Sequence, residues 1–98
     1  MASVCSVYVY YKTDPSSHWA VRQLLSQLPQ AMAEAGYVCR VQLRLDLASD
    51  GRHTWMEIHE CLSQANIEIW REKRNKMHIS LGLSKFISGE IYEVFKEI

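Results

Sequence analysis

The chain has 98 residues, 48% of them hydrophobic and 22% charged, with four Gly and two Pro, a mix that folds and that fits a single domain over 1–98. Eleven basic and eleven acidic side chains cancel, which argues against a nucleic-acid binder with a general cationic surface and against a polybasic membrane anchor. Cys5, Cys39 and Cys61 contain no C-x-x-C pair, so they read as small buried apolar residues, not as a zinc knot or a disulfide framework.

The opening Met-Ala-Ser-Val-Cys lacks the basic region of a signal peptide, and no uncharged stretch approaches a membrane span; the expected location is cytoplasmic. Residues 4–12 are dense in β-branched and aromatic types and stop at Asp14-Pro15, which predicts a first strand. Asp14 then suits a helix N-cap, with Pro15 in the first turn. Val21, Leu24, Leu25, Leu28, Ala31, Met32 and Ala35 recur at helical spacing up to Gly36, the expected stop, while Pro29 should kink or interrupt this helix. From Tyr37 to Leu47 the alternation is strict and predicts a half-buried strand. Ser49-Asp50-Gly51-Arg52 makes a turn, and residues 53–61 form the next strand of an antiparallel hairpin. A second helix follows from Gln64 to about His78, with Ile67, Trp70, Met77 and Leu81 as buried contacts and Gly82 beyond it. Residues 89–98 satisfy both a helical template and a strand, and are assigned as a strand.

This order, β-α-β-β-α-β, defines a ferredoxin-like arrangement in which two helices cover one face of a four-stranded antiparallel sheet. Apolar residues at odd positions of the second strand and even positions of the third are expected to face the helices, with Cys5, Val7 and Val9 of the first. The open face would then carry Ser6, Tyr8, Tyr10, Arg40, Gln42, Arg44, Trp55, Glu57, His59 and Glu93. Such a face is too apolar to stay in water and too charged for a core. It suits a wet cavity or a protein interface.

The strand Thr54-Trp55-Met56-Glu57-Ile58 after Asp50-Gly51, the opening Tyr8-Val9-Tyr10-Tyr11 and the closing Gly89…Tyr92-Glu93-Val94-Phe95 resemble an uncharacterised proteobacterial family of about this length. The resemblance implies a fold similar to the dimeric α/β-barrel superfamily of antibiotic-biosynthesis monooxygenases and haem-degrading enzymes, in which two sheets pair through their open faces. It carries no catalytic assignment.

The open-face residues, together with what the resemblance implies, suggest three functions. In the first, a homodimer encloses a small-molecule pocket with an oxygenase-like or lyase-like site. Glu57 and His59, about 6.7 Å apart along one strand, would act as catalytic groups, His59 as general base. Arg44 would clamp a carboxylate, Trp55 or Tyr10 would stack on an aromatic ring, and Tyr8, Arg40 and Glu93 would complete the ligand-binding set. The bland version of this reading makes Glu57, His59 and Arg44 an ion-pair network at a dimer interface. The second function is a non-enzymatic dimerisation or protein-interaction module, motivated by the absence of the common dinucleotide, phosphate-loop, nucleophile-elbow and zinc-helix motifs. The third is RNA binding on Tyr8, Tyr10 and Trp55, weakened by neutral charge and a missing glycine-aromatic signature. No cofactor, metal, nucleic acid or membrane is expected as a partner. His53 and His59 lie about 20 Å apart by strand rise and cannot share an ion. Arg71-Glu72-Lys73-Arg74-Asn75-Lys76 reads as a solvated helix face, His78 as a complement to the helix dipole, and Trp19 and Trp70 as packing or interface residues.

Overall fold

The computed structural model describes residues 3–98; Met1 and Ala2, included in the reading of the amino terminus, lie outside them. Strand β1 (Val4–Thr13) is followed by a short 3-10 turn (Pro15–Ser17), helices α1 (His18–Leu25) and α2 (Leu28–Glu34), β2 (Val38–Leu43) and β3 (His53–Ser63). After a second 3-10 turn come α3 (Ile67–Leu81), a third (Ser84–Phe86) and β4 (Ser88–Lys96). The sheet order is β2-β3-β1-β4 with all neighbours antiparallel, so the expected ferredoxin-like arrangement is the observed one, and residues 88–96 are a strand.

Pro29 interrupts the first helix as its chemistry requires. The ladder tightens to a Gln27 N–H to Leu24 carbonyl bond, and α2 restarts at Leu28 with Pro29 in its first turn, where a missing N–H costs nothing. Gly36, at φ +88°, closes α2 with a Tyr37 N–H to Met32 carbonyl bond, a left-handed stop that a side chain would resist. Asp14 is extended and accepts from Ser17 through its backbone oxygen; its carboxylate makes no cap. Strand β2 pairs only to Leu43, four residues short of the alternation's end. The Ala48–Arg52 turn draws the chain away, leaving Leu45 and Leu47 exposed.

The core lies between one sheet face and the helices. Val7, Val9 and Tyr11 of β1, Val21 and Leu25 of α1, Leu28 and Met32 of α2, Trp70 of α3 and Leu83 are essentially inaccessible. Burying each large apolar side chain here contributes roughly 1.5–3 kcal/mol. Among the described residues no helix is long and apolar enough to cross a membrane.

Strand β3 corrects the expected faces. Its register sets Trp55 beside Tyr11 and Leu43, Glu57 beside Val9 and Val41, and His59 beside Val7 and Cys39. Directly paired residues share a face, so Trp55, Glu57 and His59 lie under the helices, at 4%, 0% and 0% exposure. Thr54, Met56 and Ile58 occupy the open face instead. Apolarity failed as a guide at β3 because the helix layer supplies compensating cations and donors over this strand, which allows a charge inside.

A bulge closes β3. Between the pairs Val7–His59 and Cys5–Leu62, Glu60 and Cys61 stand against the single Ser6, and Cys61 takes φ +60°. The extra residue turns Leu62 back into the core and leaves Cys61 exposed, unlike buried Cys5 and Cys39. Because a side chain at positive φ costs about 1 kcal/mol, Cys61→Gly should stabilise the fold by about 0.5–1 kcal/mol in urea titration. An equal or larger loss would show that Cys61 makes contacts worth more than its strain.

Candidate functional site

The period-two placement of β3 drives Glu57 into the centre of the molecule, directly below α3. Trp70, Arg74 and His78 recur every four residues on α3 and so share the face that looks down on it. Each carboxylate oxygen of Glu57 is bound from α3 and from a strand, β3 at Oε1 and β1 at Oε2. Oε1 accepts from Arg74 Nε at 2.9 Å and His59 Nε2 at 2.8 Å; Oε2 accepts from Arg74 Nη2 at 2.8 Å, His78 Nε2 at 2.6 Å and the Tyr11 hydroxyl at 2.5 Å. Burial alone would raise the Glu57 pKa, but the donors from His59, His78 and Arg74 outweigh it and hold the carboxyl well below its ordinary range. Burial and the neighbouring Glu57 charge push the Tyr11 hydroxyl well above its ordinary value. Arg74 loses some charge preference to burial and regains more from Glu57, so it stays charged.

The guanidinium reaches past Glu57 to three further acceptors. Arg74 Nη1 donates to the Tyr92 hydroxyl at 2.7 Å, Glu90 Oε2 at 3.0 Å and Asn75 Oδ1 at 3.1 Å. Tyr92, pushed up to about 12 mainly by burial, lies on β4 under the guanidinia of Arg71 and Arg74. One arginine thereby ties α3, β3 and β4 together.

The two histidines differ in availability. Trp70 Nε1 donates to His59 Nδ1 at 3.3 Å, so His59 must be a neutral imidazole carrying its proton on Nε2, where Glu57 receives it. Both of its nitrogens are engaged. His78 gives Nε2–H to Glu57, and its side chain makes no other hydrogen bond among the described residues. His78 also lines a cavity of about 440 Å³ between α3 and the start of β4, with Arg74, Asn75, Ile79, Ile87 and Glu90 among the walls. That volume suits a small molecule.

The residues expected to form one site on the open face are therefore divided. Tyr10 and Arg44 line a smaller groove of about 240 Å³ there with Gln42 and Met56. Tyr8 packs edge-on against Phe95, Arg40 pairs with Glu60, and Glu93 lies opposite Tyr8. Trp55 is under the helices, its indole N–H donating to Thr13 Oγ1 at 2.9 Å. Glu57 and His59 do meet, Oε1 to Nε2 at 2.8 Å, but inside the core and not on the open face.

Arg74, His78, Tyr11, Tyr92 and Glu90 were missed as a group. In the charged run 71–76 Arg74 is 1% exposed and Arg71 half-buried over Tyr92, while Glu72, Lys73, Asn75 and Lys76 are exposed, and His78 serves Glu57 instead of the helix dipole. The available signal was spacing. Trp70, Arg74 and His78 continue the stripe begun by Ile67, and a cation on a buried stripe implies an anion beneath it. Burial drives the Cys39 thiol up to about 12, so this cysteine remains protonated near neutrality. Among the described residues no group of three or more His, Cys, Asp or Glu is placed to hold a metal ion.

With this geometry in hand, comparison with solved structures places the chain in the ferredoxin-like α+β class. A dimeric ferredoxin-like protein of unknown function from Thermobifida fusca matches with a TM-score of 0.63 at 13% identity, covering 97% of this chain and 92% of that one. An antibiotic biosynthesis monooxygenase matches at 0.59 and 15%, covering 96% of each chain. A cofactor-independent oxygenase from Streptomyces nogalater matches at 0.59 and 11%, covering 93% and 90%. No protein-family model and no curated protein matches the sequence.

Proposed function

We propose that this chain is a homodimeric small-molecule-binding protein whose ligand occupies the cavity between α3 and β4, with His78 as the proton-accepting group. The observation that carries the reading is the position of His78, bound through Nε2 to a buried carboxylate, with no other hydrogen bond among the described residues, and forming part of the wall of a cavity large enough for a guest. A ligand proton transferred from carbon or oxygen to Nδ1 would leave a ligand anion and an imidazolium, and Glu57 would stabilise that imidazolium at 2.6 Å. Proton removal of this kind opens both lyase reactions and oxygenations, and the likeness to a cofactor-independent oxygenase supports the second. Glu57 and His59 act here as positioning residues: Glu57 orients His78, and His59 with Trp70 fixes Glu57. The apolar Ile79 and Ile87 would receive a ring or alkyl group, while Glu90 and Asn75 would bind polar substituents.

The second copy covers the open sheet face, where Ile91, Phe95 and Val38 are 58%, 53% and 51% exposed. Dimeric ferredoxin-like neighbours support this assembly. A purely architectural network is the alternative, favoured by the complete saturation of Glu57.

The two readings separate at His78→Gln. Glutamine can donate to Glu57 but cannot take up a proton, so stability should change by no more than about 1 kcal/mol. In a protein-observed amide NMR screen of small aromatic and carbonyl fragments, wild-type hits should perturb the Asn75, Gly89 and Glu90 amides. Solvent-deuterium exchange into a bound carbon acid should fall at least about 100-fold in His78→Gln. Hits confined to the Tyr10–Arg44 groove, or exchange unchanged in the variant, would overturn the assignment.

A further inference from the structure

The open face has a charge pattern that specifies how a second copy sits on it. The register aligns its side chains in rows that cross all four strands from β2 to β4. One row runs Arg40, Ile58, Tyr8, Glu93. The next towards one end runs Gln42, Met56, Tyr10, Ile91, and at the other end Val38 on β2 corresponds to Phe95 on β4, with Glu60 and Ser6 between. The β2 edge of this face carries Arg40 and Arg44 and the β4 edge carries Glu93; the two central rows between them hold Ile58, Met56, Tyr8 and Tyr10, with Glu60 and Lys12 at the two ends of the inner strands.

Arg40 and Glu93 stand on opposite edges, about 14 Å apart at three strand spacings, too far to pair within one chain. Neither Glu93 nor Arg44 takes part in any ion pair among the described residues, and both are exposed. Arg40 contacts only Glu60, itself at the exposed rim.

Two face-to-face sheets can be related by a two-fold axis lying along the strands or across them. An axis across the strands would stack β2 on β2, bringing the arginine edges together. An axis along the strands, between β3 and β1, exchanges the edges while keeping each residue in its row. Arg40 then meets the partner's Glu93, Val38 meets the partner's Phe95, and Met56 meets the partner's Tyr10, while Ile58, already buried at 3% exposure within its own chain, adds no contact surface. Every contact is made twice, as an isologous interface requires.

The geometry points to a second copy of this chain docked by that axis, with the Arg40–Glu93 pair, formed twice, setting orientation and register. This rests on the homodimer reading above and goes beyond it by naming the axis and the contacts. Charged pairs at such a rim specify orientation more than they add affinity, whereas like charges brought together are strongly unfavourable.

The test uses two charge reversals. In Arg40→Glu the homodimer would hold two Glu–Glu contacts, and in Glu93→Arg two Arg–Arg contacts; each should weaken dimerisation on the order of 30-fold or more in analytical ultracentrifugation. Mixing the two variants, one carrying a mass label, restores an opposite-charge pair at both positions. The mixture should give a heterodimer with affinity within about threefold of wild type, by native mass spectrometry and ultracentrifugation. Heterodimer recovery also shows that each variant is folded, and thermal unfolding of each alone checks this directly. A wild-type chain that is monomeric at 100-fold above its working concentration overturns the homodimer reading as well. Wild-type dimers with unaffected single variants, or a mixture without heterodimer enrichment, overturn this pairing alone.

Discussion

Glu57→Leu should destabilise the protein by about 3–5 kcal/mol, because it leaves Arg74 buried without its main counter-charge. A domain of this size is stable by about 5–15 kcal/mol, so the loss takes roughly a fifth of the total or more. It corresponds to a fall in Tm of roughly 12–40 °C at about 4–8 °C per kcal/mol. Arg74→Met should cost a similar amount by stranding Glu57. In the double variant neither charge is left alone, and Met and Leu fill comparable space, so the two losses should not add. A coupling energy of at least about 2 kcal/mol is expected from the cycle. Recovery will be incomplete, since His59, His78 and Tyr11 also lose the acceptor they share. Chemical denaturation of the four proteins decides the matter, and additivity within about 0.5 kcal/mol would mean that the pair carries no mutual stabilisation.

Stability should form a broad plateau with an acid limb set by Glu57 and an alkaline limb set by Tyr11. The folded pKa of Glu57 lies below its ordinary value of 4.5, so on acidification the unfolded chain takes up the proton first. The stability from ionised Glu57 is complete above about pH 4.5 and is lost as pH falls from there through the folded value. Tyr11 has the opposite sign. Its folded pKa lies above 10.0, so the stability tied to the neutral phenol is complete below pH 10.0 and is lost as pH rises beyond it. The gap in unfolding free energy between wild type and Glu57→Gln should close as pH drops through the acid limb, and Tyr11→Phe should flatten the alkaline one. A Glu57→Gln gap that stays constant down to acid unfolding would mean that Glu57 is not ionised in the folded protein.

Much of the fold was legible because local chemistry and tertiary packing agree. Alternation at 37–43, the helical stripe through Val21, Leu25, Leu28 and Met32, the break at Pro29 and the left-handed glycines each act over a few residues, and each survives in the folded chain. Where the two diverged, partners distant in sequence were responsible. Leu45 and Leu47 continue the alternation, but the next turn ends the pairing. Cys61 looked like a core cysteine, but one extra residue opposite Ser6 turned it out.

The site shows the same division more sharply. Its residue types were visible, and Glu57 with His59 was recognised as a pair whose chemistry matters. Their side of the sheet was misread, since in β3 a set holding Met56 and Ile58 alternates with one holding Trp55, Glu57 and His59, and period two alone cannot say which set meets the helices. The decision came from Arg74 and His78, 17 and 21 residues further along the chain.

By itself, then, the sequence determined the element order, the ferredoxin-like layering and an uncovered sheet face, because propensity, periodicity and turn chemistry are local. Only the tertiary structure decided which residues are buried together. A charge can enter a core when donors from other elements converge on it, and such convergence depends on register and helix placement that no single segment encodes.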